Sequence, residues 1–134
     1  MKVVTKVAIT IISLPLLLIA LYIGYLWATY IDETINSGSK YGFTIGLSKK
    51  DSFDKISDLL EKFPKTKIYI SYGQRAGDRF TLAPTASAYI KIKEYETWSL
   101  LLDGDGEFFN TIRLRFRGDN LSEIHRHRKY FEAP

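Results

Sequence analysis

The feature that most constrains this chain is one long uncharged stretch near its amino terminus. Residues 7–31 form a run of 25 side chains without a single charge. A helix of that length would extend about 37 Å, which exceeds the roughly 30 Å of bilayer hydrocarbon. Its apolar residues surround the helix instead of forming one stripe, as is typical of a membrane span. The rest of the chain is too short to bury this helix and also build its own core. We therefore expect a transmembrane helix within residues 1–31.

The charges that flank this stretch predict its orientation. Lys2 and Lys6 precede it, while Asp32 and Glu33 follow it at once. The positive-inside tendency then leaves a short cytoplasmic stub and places the rest of the chain in the periplasm or another extracytoplasmic space. The alternative is a cleaved signal peptide, whose apolar region is usually only about 7–15 residues. We predict an uncleaved signal anchor that crosses the inner (cytoplasmic) membrane once.

Small residues recur along this stretch at a spacing of four. Ala20, Gly24 and Ala28 would lie on one face of a helix. Small side chains at this spacing let two membrane helices approach closely. The triplet is therefore a candidate helix contact within the bilayer.

The remainder of the chain divides into a polar linker and one exported domain. We assign residues 32–39 to the linker and residues 40–134 to the domain, a length typical of one compact core. The chain has no cysteine, so the domain must be held by burial alone, which suits a bacterial envelope. The domain carries 17 of the 19 basic residues and 13 of the 15 acidic ones. A basic balance is compatible with nucleic acid, anionic lipid or an acidic protein, and export disfavours nucleic acid.

The pattern of apolar residues predicts an α+β domain. Ser48 and Asp51 resemble a capping box, and the apolar residues that follow recur at helical spacing until Pro64. Alternating or apolar segments then predict strands at residues 67–72, 88–95, 98–102, 110–117 and 121–131, with a short candidate strand at 79–82 that Ala83-Pro84 breaks, and turns at 103–106 and 118–120. We expect one or two helices packed on an antiparallel β-meander of about 4–5 strands.

The most suggestive polar set is a row of arginines. Arg113, Arg115 and Arg117 occupy alternate positions of one predicted strand, so their side chains should lie on the same face. Guanidinium groups bind carboxylates bidentately, and this row is a candidate surface for an acidic partner. The alternative is an exposed sheet face on which these arginines pair with Glu94, Glu96 or Glu123 of neighbouring strands.

His125 and His127 are the only histidines and would point the same way on a strand. Such a pair is compatible with zinc, but a third ligand is normally required and no cysteine can supply it. We favour a basic, pH-sensitive surface that extends the arginine row.

Three other motifs do not meet the requirements of a calcium, adhesion or catalytic site. No metal or cofactor is predicted. The segment that starts at Asp103 resembles a calcium loop, but Phe108 and Leu114 occupy the positions that require glycine and glutamate. The Arg-Gly-Asp tripeptide at 117–119 is explained by a turn. The candidate nucleophiles lack a Gly-x-Ser-x-Gly elbow, and they are Ser71, Ser87, Ser99 and Ser122. We therefore predict that the chain is not an enzyme.

The segment from Tyr41 to Asp51 resembles the small envelope modules of the BamE/SmpA-like class. Their helix begins with Gly-[Leu/Met]-[Ser/Thr]-x-x-[Asp/Glu], a pattern matched here by residues 46–51. The helix to Pro64 and the later strand at Trp98 follow in the same order. The resemblance implies a helix followed by a meander. The chain departs from the class in having an apolar anchor where the class has a lipidated cysteine, so neither the assembly role nor functional residues are transferred.

These observations lead to three functional hypotheses. The first is a membrane-anchored accessory subunit of an envelope complex, whose domain binds a protein partner. The second is a tethered immunity protein that neutralises a toxin with an acidic surface, delivered to the periplasm. The third is a small hydrolase or metal-dependent enzyme that uses His125 and His127.

Overall fold

The computed structural model describes residues 2–104 and 109–129, and side chains from residue 12 onward within them. The chain forms two compact units. One contains the amino-terminal helix, and the other spans residues Ile31–Arg128. Residues 105–108 and 130–134, including Phe108, the second half of the predicted 103–106 turn and the end of the last predicted strand, lie outside the described residues.

The first unit contains helix α1, Lys2–Thr29, with Pro15 in its interior. Its last turn is closed by the Thr29 hydroxyl, which donates to the carbonyl oxygens of Tyr25 at 3.0 Å and Leu26 at 3.1 Å. The segment Ile12–Thr29 is long and apolar enough to cross a membrane, and none of it is buried. Signal sequences share these properties, so the structure establishes an apolar amino-terminal helix that suits either role.

The second unit is an α+β domain built on an antiparallel sheet. Six strands lie in the order β1-β8-β7-β6-β4-β5, and β2 and β3 form a separate hairpin. The elements are β1 Ile31–Ile35, β2 Ser39–Lys40, β3 Phe43–Thr44, α2 Lys49–Lys62, β4 Lys67–Ser71, β5 Arg79–Leu82, α3 Ala88–Ile92, β6 Thr97–Leu101, β7 Asn110–Arg117 and β8 Asn120–Arg128.

Helix α2 begins and packs as the sequence predicts. The Ser48 hydroxyl accepts from the backbone N–H of Asp51 at 3.0 Å and donates to its carboxylate at 2.7 Å, which satisfies one of the free donors of the first turn. Phe53 and Ile56 face the sheet, and the Phe53 ring lies edge-on to the buried Trp98 ring at 6.4 Å. The apolar face of α2 therefore covers one side of the sheet.

Strands β4, β6 and β7 also match the predicted segments. Ile68, Leu100 and Ile112 lie side by side across these strands and are 0 to 2% exposed. Period-two alternation places such residues on one face, and this face is the one that α2 covers. The charged positions of β7 lie on the other face.

The segment predicted as a strand at 88–95 is wrong, because residues Ala88–Ile92 form the short helix α3. The alternation of Ile90 and Ile92 suggested one shared face. In the structure Ile92 is fully buried whereas Ile90 is 68% exposed. Ala88 and Ile92, four residues apart, both enter the core. The Trp98 indole N–H fixes the end of this helix by donating to the carbonyl oxygen of Ile92 at 3.0 Å.

The sheet is larger than predicted and is not a simple meander. Six strands replace the expected 4–5, because residues 31–35, partly assigned to the linker at 32–39, form β1 and pair with β8. After the β4–β5 hairpin the chain crosses through α3 and returns on the other side of β4 as β6. The last strand ends at Arg128 within the described residues. Helix α3 lies in this crossover, and its end is bonded to Trp98 of β6.

Candidate partner-binding surface

The three arginines of β7 share one face of the sheet, opposite to α2. Arg113, Arg115 and Arg117 are exposed, while the alternating Ile112, Leu114 and Phe116 are buried. We call the face that carries them the arginine face. The spacing along one strand places the three Cα atoms at intervals of about 6.5–7 Å.

The neighbours of these arginines on β8 differ from one position to the next. Arg113 lies opposite His125, and Arg115 lies opposite Glu123. Arg115 Nη1 is 3.4 Å from Glu123 Oε2, a long ion pair between partly exposed groups. Within residues 12–104 and 109–129, Arg113 and Arg117 make no side-chain hydrogen bond or ion pair. Of the three glutamates considered as partners, Glu123 alone pairs with the row in this part of the chain.

The two histidines lie beside the arginine row on β8. Their rings are stacked with centroids 6.4 Å apart and planes inclined by 27°. His125 Nε2 donates to Asp32 Oδ1 at 2.6 Å. Asp32 is a neighbour of this candidate surface that sequence reasoning missed, since it comes from β1, 93 residues earlier. No group of three histidine or acidic side chains suited to a metal ion occurs among the described residues.

The serines considered as nucleophiles are dispersed. Ser99 is buried in β6, and Ser71 and Ser87 are exposed. The Ser122 hydroxyl donates to the carbonyl oxygen of Arg115 at 3.0 Å. The structure thus places these four hydroxyls at separate points of the domain.

The small residues of α1 form an uncovered stripe. Ala20, Gly24 and Ala28 are all exposed in the helix. A Cβ atom added at Gly24 would meet no atom within 4 Å. The stripe therefore has room for a neighbouring helix.

A second polar cluster, not foreseen from the sequence, joins β1 to the β2–β3 hairpin. The Glu33 carboxylate accepts hydrogen bonds from Lys40 Nζ at 2.7 Å and from the Tyr41 hydroxyl at 2.6 Å. The lysine hydrogen bond, followed by that of the tyrosine, lowers the pKa of Glu33 below its ordinary 4.5. The carboxylate in turn raises the pKa of Lys40. Burial, with the bond to Glu33, raises the pKa of Tyr41.

Tyr41 has an uncommon backbone for a side chain of its size. Its φ angle is +56°, and that of the next residue, Gly42, is +88°. A two-residue hairpin turn with both φ angles positive usually has Asn or Gly at the first position. The bond to Glu33 and the cation of Lys40, 5.4 Å from the ring centroid, offset this conformational cost.

Arg126 lies next to this cluster and is 5% exposed. Its Nη1 donates to the carbonyl oxygens of Thr111 at 3.1 Å and His127 at 2.6 Å, and its Nη2 donates to Asn110 Oδ1 at 2.6 Å. The guanidinium carbon is 6.0 Å from the centre of the Tyr41 ring. These contacts hold one cation rigidly at the base of a groove of about 650 Å³ beside α2.

No protein-family model, curated protein or solved structure matches this chain. The functional argument therefore rests on the α+β fold and on these side chains. The resemblance to the BamE/SmpA-like class stays a prediction.

Proposed function

We propose that this chain is a single-pass membrane protein that binds a protein partner, as an accessory subunit of an envelope complex. In this proposal α1 is the anchor in the inner membrane. The domain lies on the periplasmic or extracytoplasmic side, and its arginine face docks an acidic surface. The proposed role is binding and not catalysis.

The observation that carries the proposal is the state of Arg113 and Arg117. Both guanidinium groups are exposed, and neither makes a hydrogen bond or ion pair within residues 12–104 and 109–129. An arginine row that served only the domain would be expected to pair across strands, as Arg115 does with Glu123. The guanidinium groups of Arg113 and Arg117, held on a strand and unpaired within the described residues, are preorganised to bind carboxylates of another molecule.

The aromatic residues near the end of α1 support the anchor. Along the chain, only Tyr30 separates the end of α1 from the start of β1. Trp27 and Tyr30 are 79% and 47% exposed, and such rings favour the headgroup region of a membrane.

The anchor is tested by alkaline extraction of membranes that contain the full-length chain. A span should remain in the pellet at the mass of all 134 residues. A shortened soluble product would instead identify a cleaved signal sequence.

The arginine face is tested by co-purification of the full-length chain from membranes solubilised in a mild detergent. We expect a partner that is lost when Arg113 and Arg117 are both changed to glutamate, and whose binding weakens with salt. A matched control changes the exposed Lys91 and Lys93 to glutamate, which alters the net charge equally on another surface.

The identity of the partner decides between two forms of the proposal. Stable envelope subunits would establish an accessory role, and a single toxin would establish an immunity protein. Failure to recover any partner, or equal retention by the two double variants, would refute docking through the arginine face. Loss of function in a folded variant with His125 and His127 changed to alanine, without loss of partner, would instead favour an enzyme.

A further inference from the structure

A groove runs between the end of α2 and the strands β1 and β8. We propose that it binds a phospholipid with an anionic headgroup, drawn from the membrane that holds α1. This inference rests on the membrane placement proposed above. It does not require a protein partner.

The position of the groove follows from the course of the chain. Ile31 is the first residue of β1 and forms part of the groove wall. It lies two residues after the end of α1, a distance of about 7 Å at most. If α1 spans the bilayer, Ile31 lies within this short distance along the chain from the end of the span. Arg128 of β8 is the partner of Ile31 in register, so the two side chains lie on the same face of the sheet.

The charges of the groove favour an anion. Lys62, Arg126 and Arg128 contribute three cations to its lining, and Glu61 contributes a carboxylate. Two further lining residues, Lys55 and Asp58, form an ion pair at 3.5 Å and largely compensate each other.

The buried Arg126 gives this surface a fixed geometry. Its guanidinium is held by two backbone carbonyls and an amide oxygen. Three of its five N–H donors are used in these bonds, so Arg126 serves as a fixed positive charge that attracts a phosphate ester, and the exposed Lys62 offers N–H donors to it.

Apolar side chains complete the lining and define the ligand as an amphiphile. These are Ile31, Leu59, Phe63, Leu102 and Ile112. A volume of about 650 Å³ lies within the range of small-molecule sites, and here it accommodates a headgroup with the start of its acyl chains. A free phosphate would leave the partly buried Ile31, Leu59 and Phe63 facing water, so a lipid fits the whole groove better.

The proposal is tested by native mass spectrometry of the full-length chain in non-ionic detergent micelles. The micelles are titrated with phosphatidylglycerol or with phosphatidylcholine of the same acyl chains. A cation near an anionic headgroup changes lipid affinity about fivefold. We therefore expect phosphatidylglycerol to bind at least about fivefold more tightly than phosphatidylcholine. Equal binding of the two lipids would overturn the proposal.

Two charge reversals locate the site. Lys62→Glu, at an exposed position, and Arg128→Glu should each abolish the preference for phosphatidylglycerol. The matched control, Arg113→Glu, changes the net charge equally on the arginine face and should retain it. A near-ultraviolet circular dichroism spectrum, sensitive to the buried Trp98, verifies the fold of each variant. An equal loss of preference in the control would mean that only net charge matters, and would overturn the assignment of the lipid site to the groove.

Two further measurements separate the remaining outcomes. Glycerol 3-phosphate should not displace the lipid, and displacement would identify a soluble phosphate ester as the ligand instead. A photoreactive benzoylphenylalanine at Phe63, in the groove, should crosslink phosphatidylglycerol in reconstituted vesicles, whereas the same group at the exposed Ile90 of α3 should not. Since lipid binding in micelles requires neither membrane insertion nor a protein partner, its failure is distinguishable from failure of the proposed function.

Discussion

Replacing Ser52 by alanine is expected to stabilise the domain. Ser52 lies in the first half of α2, its side chain is fully buried, and its hydroxyl has no hydrogen-bond partner within residues 12–104 and 109–129. Its backbone N–H is already satisfied by the carbonyl oxygen of Ser48 at 2.9 Å. The hydroxyl is thus removed from water without compensation, and alanine would relieve that penalty while leaving the helix backbone intact.

The size of the effect combines three terms. An unsatisfied buried hydroxyl costs about 1–3 kcal/mol. Alanine adds about 0.5 kcal/mol of helix propensity over serine. The loss of one packed oxygen atom offsets part of both gains through missing van der Waals contacts. We expect a net stabilisation of about 1–2 kcal/mol, which corresponds to about 5–15 °C in Tm for a domain of roughly 100 residues.

The measurement is thermal unfolding of the full-length chain in detergent, followed by near-ultraviolet circular dichroism. The control is Ser57→Ala on the same helix, where the hydroxyl is exposed and donates to the Asp54 carbonyl oxygen at 2.6 Å. It shares the gain in helix propensity but relieves no buried group. If Ser52→Ala were no more stable than Ser57→Ala, the Ser52 hydroxyl would have a partner in solution and the reasoning would be refuted.

Three further changes test other parts of the structure. In urea unfolding, Gly104→Ala should destabilise the domain by more than about 2 kcal/mol and Gly118→Ala by only about 1 kcal/mol. Both glycines have positive φ angles. Of the two, only Gly104 would bring the added Cβ against a backbone oxygen, that of Lys65 at 2.6 Å. Equal losses would argue against the clash. The pKa of Glu33 is lowered in the folded domain, so its ionised carboxylate stabilises the fold above its ordinary pKa of 4.5. This stabilisation is lost as the pH falls through the folded pKa. The Tm difference between wild type and Glu33→Gln should therefore narrow between about pH 6 and about pH 3, and a constant difference would contradict the assignment. Leu100→Ala, at a fully buried position of the central strand β6, should cost about 2–5 kcal/mol by denaturant unfolding, and a loss under about 1 kcal/mol would contradict its place in the core.

The sequence predicted best those elements whose local signals agree. The cap at Ser48, the apolar period of α2 and the alternation of β7 each point to the observed element. The strand predicted at 88–95 is wrong because the five residues that form α3 contain too few apolar positions to distinguish a period of two residues from a helical period. Its helical state depends on tertiary contact with Trp98, which the local pattern does not contain.

The edge strand β1 illustrates a second limit. Asp32 and Glu33 are residue types depleted in strands, so the segment resembled a linker. It becomes a strand because β8 offers it a free edge, and because Glu33 meets Lys40 and Tyr41 of the hairpin. The pairing with β8 joins residues 93 positions apart, such as Asp32 and His125, whereas Lys40 and Tyr41 are only seven and eight residues from Glu33. The arginine face was foreseeable from one strand, whereas the groove around Arg126 required knowledge of which strands are neighbours.

The pairing of β1 with β8 has a consequence for the order in which the domain is completed. The two strands that meet at Asp32 and His125 are separated by 93 residues, nearly the whole domain. At a synthesis rate of about 5–20 residues per second, β1 waits roughly 5–20 s before its partner exists. During that interval its backbone edge is open to any other strand nearby. The first strand to be synthesised is thus the last to be hydrogen-bonded into the sheet. This topology therefore requires that newly made β1 be protected from pairing with other strands.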